Sequence, residues 1–266
     1  MNLITLTTNK GGSGKTTIAT NLAIALALKN KRTILVDLDG LCSVNFEFGQ
    51  SYQDTEGFTI FDVLNESKKL EDCLVHLNKN LDILLADPNL RHWDELIKED
   101  VYLEAKLKQL LNKLKQNYDY AIIDTPPQMS HINYLAIEVS NLLVIPFELE
   151  QINAYSVFAT LAEINSLSVG ANTTKLLVAN KVRLDWDTKE LKLNKAQKQL
   201  YDNLMHSIEK SDPKALISSA KVINSSQFNQ CLIKYNLPLM AIKSNSKVYA
   251  KAKQCLDDLA NVIINL

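Results

Sequence analysis

Three of the chain's seven glycines stand in one short window, Asn9-Lys10-Gly11-Gly12-Ser13-Gly14-Lys15-Thr16-Thr17, between a hydrophobic run and a helical stretch. Glycine is needed where a backbone turns tightly and lets its N–H groups approach an anion. The N-terminus of the following helix adds unpaired N–H groups and the positive end of a dipole, which together make a phosphate site. Lys15 is then placed to reach the β- and γ-phosphates of a nucleotide, and the Thr16 hydroxyl to ligate Mg²⁺. Phosphoryl transfer also needs carboxylates close by. Thr33-Ile-Leu-Val-Asp37-Leu-Asp39 ends a hydrophobic run with two acids that point to one side of an extended chain, and Ala121-Ile-Ile-Asp124 ends another with a single acid. All three sit where open α/β sheets bind ligands, at the carboxyl ends of strands.

Strands and helices that hold these residues can be read from the hydrophobic pattern. Runs of strand length recur at Leu3–Thr8, Thr33–Asp37, Leu81–Leu85, Tyr120–Asp124, Leu142–Phe147, Lys175–Ala179 and Leu239–Ile242. They are continuous rather than alternating, as in strands covered on both faces. Helical spacing falls between them at Lys15–Lys29, Glu99–Gln116, Asn153–Leu167, Asn194–Ile208 and Lys247–Asn265, while the polar stretch Gln50–Gly57 reads as a surface loop. The alternation predicts an α/β fold with a mostly parallel, twisted sheet covered by helices on both faces. No repeat or Pro/Gly-rich linker interrupts it, so residues 1–266 are expected to form one domain.

Composition narrows the possible functions. With 266 residues, 46% hydrophobic and 22% charged, the chain can bury a large core and is not disordered. Cys42, Cys73, Cys231 and Cys255 are scattered without C-x-x-C spacing, which disfavours a disulfide scaffold, a zinc module or a closely spaced iron–sulfur motif and fits a reducing cytosol. The longest apolar run, Leu22–Leu28, falls far short of the ~18 to 20 residues that span a bilayer. The net charge of −1 conceals a dipolar chain: residues 1–173 carry 14 basic against 22 acidic residues, and 174–254 carry 15 against 6. Between Pro213 and Leu256 there is no acid, yet Lys221, Lys243, Lys247 and Lys251 lie there with three further lysines. Such a run is a candidate phosphate-backbone surface. Asn180-Lys181-Val182-Arg183 follows a strand like the guanine-reading N-K-x-D, but Arg183 replaces the carboxylate that guanine requires, which favours adenine.

The ordinary phosphate-loop pattern G-x-x-x-x-G-K-[ST] opens with glycine, whereas here Asn9 stands first and a second lysine, Lys10, follows. This K-G-G-x-G-K-T run resembles the deviant Walker A motif of the ParA/MinD family of dimeric ATPases. The resemblance implies ATP and Mg²⁺ as ligands, held by residues 10–17: Lys10, Gly11, Gly12, Ser13, Gly14, Lys15, Thr16 and Thr17. It further implies that Lys10 reaches the nucleotide of the other subunit. Asp124 with Thr125-Pro126-Pro127 is similar to the family's Walker B segment and Asp124 would hold Mg²⁺. By the same likeness, Asp39 would position the attacking water, Asp37 would stand nearer the metal and Asn180 would lie beside adenine. Leu142–Glu148 with Gln151–Ile164 resembles the family's strand, loop and interface helix. One departure is plain: family members commonly continue Asp-Pro-Gln-Gly, whereas this chain has Asp39-Gly40-Leu41-Cys42-Ser43.

A ParA-like reading implies an ATP-dependent homodimer that binds DNA without sequence preference through C-terminal-half lysines, with Lys221, Lys243, Lys247 and Lys251 as the candidates. It also implies a ParB-type partner that stimulates hydrolysis, and a cytoplasmic, nucleoid-associated location in plasmid or chromosome partition. With the loop starting at residue 9, no operator-binding domain is expected ahead of it. One alternative is a MinD-like positioning ATPase whose terminal helix lies on membrane. Asp257 and Asp258 are unfavourable for that at an anionic bilayer, and no membrane association is expected. The other is a metabolic ATP-dependent enzyme of the same superfamily, which would need a substrate-carboxylate pocket.

Overall fold

The structure, a computed structural model, describes residues 2–49, 57–183, 192–224, 228, 230–231, 237–243 and 247–266, without the side chains of 151–155, 247 and 248. The strands are β1 (Asn2–Leu6), β2 (Thr33–Asp37), β3 (Leu74–Asn78), β4 (Leu81–Leu84), β5 (Tyr120–Asp124), β6 (Leu142–Glu148), β7 (Thr174–Asn180) and β8 (Ala215–Ile217). They form one sheet in the order β3-β4-β2-β5-β1-β6-β7-β8. Every pairing is parallel except the β3–β4 edge hairpin. Among helices of the described residues are α1 (Lys15–Leu28), α2 (Ser43–Glu47), α3 (Ile60–Leu64), α4 (Trp93–Glu99), α5 (Leu103–Asn117), α6 (His131–Val139), α7 (Gln151–Ser166), α8 (Lys195–Ser211) and α9 (Lys247–Ile264).

Successive side chains of a strand face opposite sides of the sheet, and each side here has its own core. Ile4, Leu6, Tyr120 and Ile122 join α1 and α9, whereas Leu3, Ala121 and Ile123 join α3 to α6 on the other side. A further cluster packs α7 and α8 against β6 and β7. Hence the central strands read as unbroken apolar runs. α5 buries Leu103, Leu107, Leu110, Leu111 and Leu114, a single stripe at helical spacing. The apolar stripe of α9, from Ala252 to Ile263, is likewise buried, in the core that α1 joins. No helix of the described residues is long and apolar enough to cross a membrane.

Two expectations need correction. Leu239–Ile242 is not a strand: Leu239–Ala241 forms a 3-10 turn after Pro238, and the Met240 N–H donates to Asn21 Oδ1 of α1 at 2.9 Å instead of joining a ladder. The Glu99–Gln116 helix begins later, at Leu103, because Asp100 accepts from the Tyr102 N–H and Lys106 Nζ in a turn that separates α4 from α5. The half-exposed edge strand β3, the three-residue β8 and the short helices α2, α3 and α6 have too little apolar length to stand out in the sequence.

Candidate functional site

The parallel order places the carboxyl ends of β1, β2 and β5 side by side, and the site is built on them. β1 leads into the glycine loop. Gly12 and Gly14 both adopt left-handed φ values, 70° and 90°, that side chains resist. Gly14 carries a second constraint, since a Cβ there would run into the Asn180 amide. That amide donates from Nδ2 to the Ser13 carbonyl at 2.7 Å, and its Oδ1 accepts from the Lys181 N–H at 2.8 Å. The end of β7 thus braces the loop from one flank. On the same flank Lys181 Nζ donates to the Gly12 carbonyl at 2.9 Å and to Glu148 Oε1 at 2.7 Å. Lys10 Nζ lies 3.9 Å from the same Glu148 oxygen, a looser ion pair than that of Lys181. Asn9 explains its own departure from glycine: Nδ2 donates to Glu163 Oε2 of α7 at 2.6 Å and its N–H donates to Thr160 Oγ1 at 3.2 Å. Tyr134 of α6 donates to the other Glu163 oxygen.

The acids stand opposite. β2 and β5 pair so that Asp37 faces Asp124 across the ladder. Both are fully buried. Asp37 accepts from the Asp39 and Val44 N–H groups at 2.8 and 3.2 Å, which folds the turn that follows β2. Its pKa lies well above the usual carboxylate range, first through burial and then through Asp124, with those backbone bonds pulling back. Asp39 is nearly buried and accepts from the Leu41 N–H at 2.9 Å. Among the described residues neither oxygen of Asp124 has a hydrogen-bond partner. Burial pushes its pKa up to about 7. The Thr16 hydroxyl, close enough to favour the charged form without meeting hydrogen-bond geometry, and the Lys15 ammonium act against that rise. Lys15 itself is buried, which lowers its pKa, while the fields of Asp124 and Asp39 restrain the fall.

A buried carboxylate with two unpartnered oxygens beside a hydroxyl is a donor set for a hard, oxygen-seeking dication. Mg²⁺ fits these residues. In the glycine loop, Ser13 Oγ is also buried without a hydrogen-bond partner among the described residues. The loop after Asp124 is held by Thr125 Oγ1, which donates to the Leu6 carbonyl at 2.7 Å, and by Asn133 Nδ2, which donates to the Pro126 carbonyl. Beside the glycine loop a cavity of about 670 Å³ is lined by Glu148, Lys181, Arg183, Gln197 and Asn224 among others.

The predicted loop residues and the three acids therefore converge, and Asn180 joins them as a brace. Sequence reading gave no role to Glu163, nor to Glu148 and Lys181, which it named only within the Leu142–Glu148 strand and the Asn180–Arg183 run; all three act through position. It also missed Glu47, a buried acid hydrogen-bonded to the Thr20 hydroxyl of α1, whose burial raises its pKa to about 7. The basic candidates lie elsewhere. Lys221 is half-buried with its ammonium 5.1 Å from the centre of the Tyr201 ring, Lys243 is exposed and Lys251 is half-buried on α9. Lys247 stands four positions before Lys251 on that helix, its side chain outside the described residues.

A sheet of this order with a glycine loop after β1 and acids at the ends of β2 and β5 defines a P-loop nucleoside triphosphatase fold. An ATP complex of a McdA variant from Cyanothece has the same fold, with a TM-score of 0.79 at 20% identity over 99% of this chain and 96% of its own. A family described as an AAA domain matches residues 1–178. A ParA family protein of Mycoplasma pneumoniae is 32% identical over 212 residues, 74% of this chain and 78% of the relative. The sporulation initiation inhibitor protein Soj of Bacillus subtilis is 34% identical over 149 residues, 56% of this chain and 58% of its own. The chain belongs to the ParA family.

Proposed function

We propose that this chain is an ATP-driven partition or positioning switch: it binds ATP, dimerises, associates with DNA irrespective of sequence, and is reset by hydrolysis to ADP and phosphate. The observation that carries the reading is Asp124, a buried carboxylate whose unpartnered oxygens stand beside Thr16 and Lys15 of the glycine loop. Residues 10–17 cradle the phosphates through backbone N–H groups, and Lys15 neutralises the β- and γ-phosphates. Mg²⁺, held by Thr16 and Asp124 with Asp37 behind them, would offset charge on the same oxygens. Asp39 orients a water whose oxygen attacks the γ-phosphorus as the bond to the β-phosphate oxygen breaks. Lys10 of each subunit reaches the nucleotide of the other, so the γ-phosphate favours the dimer and its loss releases it. Asn180, at the strand end, borders the adenine.

Lys221, Lys243, Lys247 and Lys251 supply the DNA contact, in a segment free of acids. A ParB-type protein would bring site specificity and stimulate turnover, and the switch would work on the nucleoid in the cytoplasm. The names of relatives support the breadth of this reading: a chromosome partitioning protein ParA in Myxococcus xanthus and a maintenance of carboxysome distribution protein A in Synechococcus elongatus. The membrane alternative loses support, because the apolar stripe of α9 is buried in the core.

The test is binding to an arbitrary duplex with ATP, ADP or no nucleotide, at low and high salt, with light scattering in parallel. Binding by an ATP-dependent dimer that weakens steeply with salt is expected, since each neutralised phosphate releases counterions. A dimer without DNA binding would redirect the reading to another surface, and absence of an ATP-dependent dimer would refute the role given to Lys10.

A further inference from the structure

The turn that carries Asp39 is held from outside by a residue that no motif marks. Arg91 belongs to the 3-10 turn Pro88–His92, and its Nε donates to the Gly40 carbonyl at 2.7 Å. The two turns touch along their backbones. A Cβ on residue 40 would lie 2.6 Å from the Arg91 backbone nitrogen, 2.7 Å from its Cγ and 3.2 Å from the Leu90 carbonyl carbon. Only glycine allows this approach, which accounts for the missing proline after Asp39. The Arg91 turn is itself anchored: Asp87 Oδ1 accepts from the Asn89 N–H at 2.8 Å, and Asp87 Oδ2 accepts from the Thr59 hydroxyl at 3.1 Å. Arg91 thus joins a fixed turn to one whose other bonds are local: the Asp39 and Val44 N–H groups to Asp37, the Leu41 N–H to the Asp39 carboxylate, the Cys42 N–H to the Asp39 carbonyl at 2.8 Å and Cys42 Sγ to the Gly40 carbonyl at 3.6 Å. Both turns, with Pro126 and Pro127 after Asp124, border one cavity of about 250 Å³.

We propose that Arg91 is a positioning residue for ATP hydrolysis: its bond to the Gly40 carbonyl fixes the Asp39 turn so that the carboxylate stays at the phosphate loop. This rests on the hydrolytic reading above. Asp39 already acts on Lys15 and Asp124 through its charge, and displacement of a catalytic group by about 1 Å can cost on the order of 100-fold in rate.

Steady-state turnover, analogue affinity and Cys42 reactivity of Arg91→Ala and Arg91→Gln, beside the unaltered protein, test it. For Arg91→Ala, kcat is expected to fall about 10- to 100-fold while KM and the affinity for a non-hydrolysable ATP analogue stay nearly unchanged. Arg91→Gln, neutral but able to donate, should recover much of kcat; if the alanine variant does not fold, Arg91→Met, which keeps the bulk but cannot donate, takes its place with the same expected fall. Full kcat in Arg91→Ala, or a loss confined to affinity, overturns the proposal.

The second readout needs no hydrolysis. Cys42 is half-buried whereas Cys73, Cys231 and Cys255 are buried, so it is the thiol to follow by alkylation. Burial and nearby acids push its pKa up to about 12, and Arg91 acts against them. Loss of the Arg91 charge alone would therefore slow alkylation, whereas a released turn would speed it several-fold. Faster labelling supports the proposal and unchanged or slower labelling overturns it. If the unaltered protein fails to turn over ATP, the hydrolytic reading falls, and the Cys42 rates still report separately whether Arg91 holds the turn.

Discussion

Asp124 is held in the fold at a cost, and Asp124→Asn should expose it. Its carboxyl is fully buried, its oxygens have no hydrogen-bond partner among the described residues, and its pKa rises from 3.8 to about 7. A tenfold change in proton affinity is about 1.4 kcal/mol, so keeping the group ionised above pH 7 destabilises the nucleotide-free protein by about 4 kcal/mol. The sign is that of an acid with a raised folded pKa. Between pH 3.8 and about 7 the native state binds more protons than the unfolded chain, so stability falls as pH rises through that window. Asparagine removes the charge but leaves a buried amide to satisfy, which returns about 1–3 kcal/mol. The variant should therefore be more stable by about 1–3 kcal/mol at pH 8, a rise of several degrees in Tm, and the advantage should vanish near pH 4. Thermal unfolding without Mg²⁺ or nucleotide, from pH 4 to 8, is the assay. Parallel stability curves for the two proteins would refute the reasoning. Added Mg²⁺ and ATP should stabilise the unaltered protein more than the variant.

Other substitutions probe the remaining parts. Lys15→Ala should abolish nucleotide binding, whereas Asp39→Ala should retain it and accumulate a dimer because hydrolysis is slowed; light scattering with ATP distinguishes them. Gly14→Ala should cost about 1–2 kcal/mol for its left-handed backbone and push the Asn180 amide off the Ser13 carbonyl, so analogue affinity should drop with little change in fold by circular dichroism. Far from the site, Lys175 and Asp212 form a buried pair at 3.1 Å, further bonded by Asn165 Nδ2. Burial alone would raise the pKa of Asp212, but Asn165 and Lys175 bring it below the usual carboxylate value. Asp212→Ala would strand the buried ammonium and should cost about 3–5 kcal/mol in denaturant unfolding.

Much of this protein is legible in one dimension because its strongest signals are local. A parallel strand buried on both faces is a continuous apolar run, and β1, β2, β5, β6 and β7 were read to within two residues of their observed ends. Glycines that must take positive φ, followed by Lys15 and Thr16, mark a phosphate loop through covalent neighbours alone. What depends on packing between distant segments was not legible. Leu239–Ile242 has strand composition, but its backbone meets α1 rather than a strand. Glu148, Glu163 and Arg91 sit in unremarkable sequence, and each matters through partners 33 to 154 positions away. The amino-acid sequence determined the elements, the phosphate loop and the types of group available for chemistry. Only tertiary structure decided which carboxylate is stripped of partners and which arginine holds the Asp39 turn, since burial and charge proximity arise only when the strand ends are brought together.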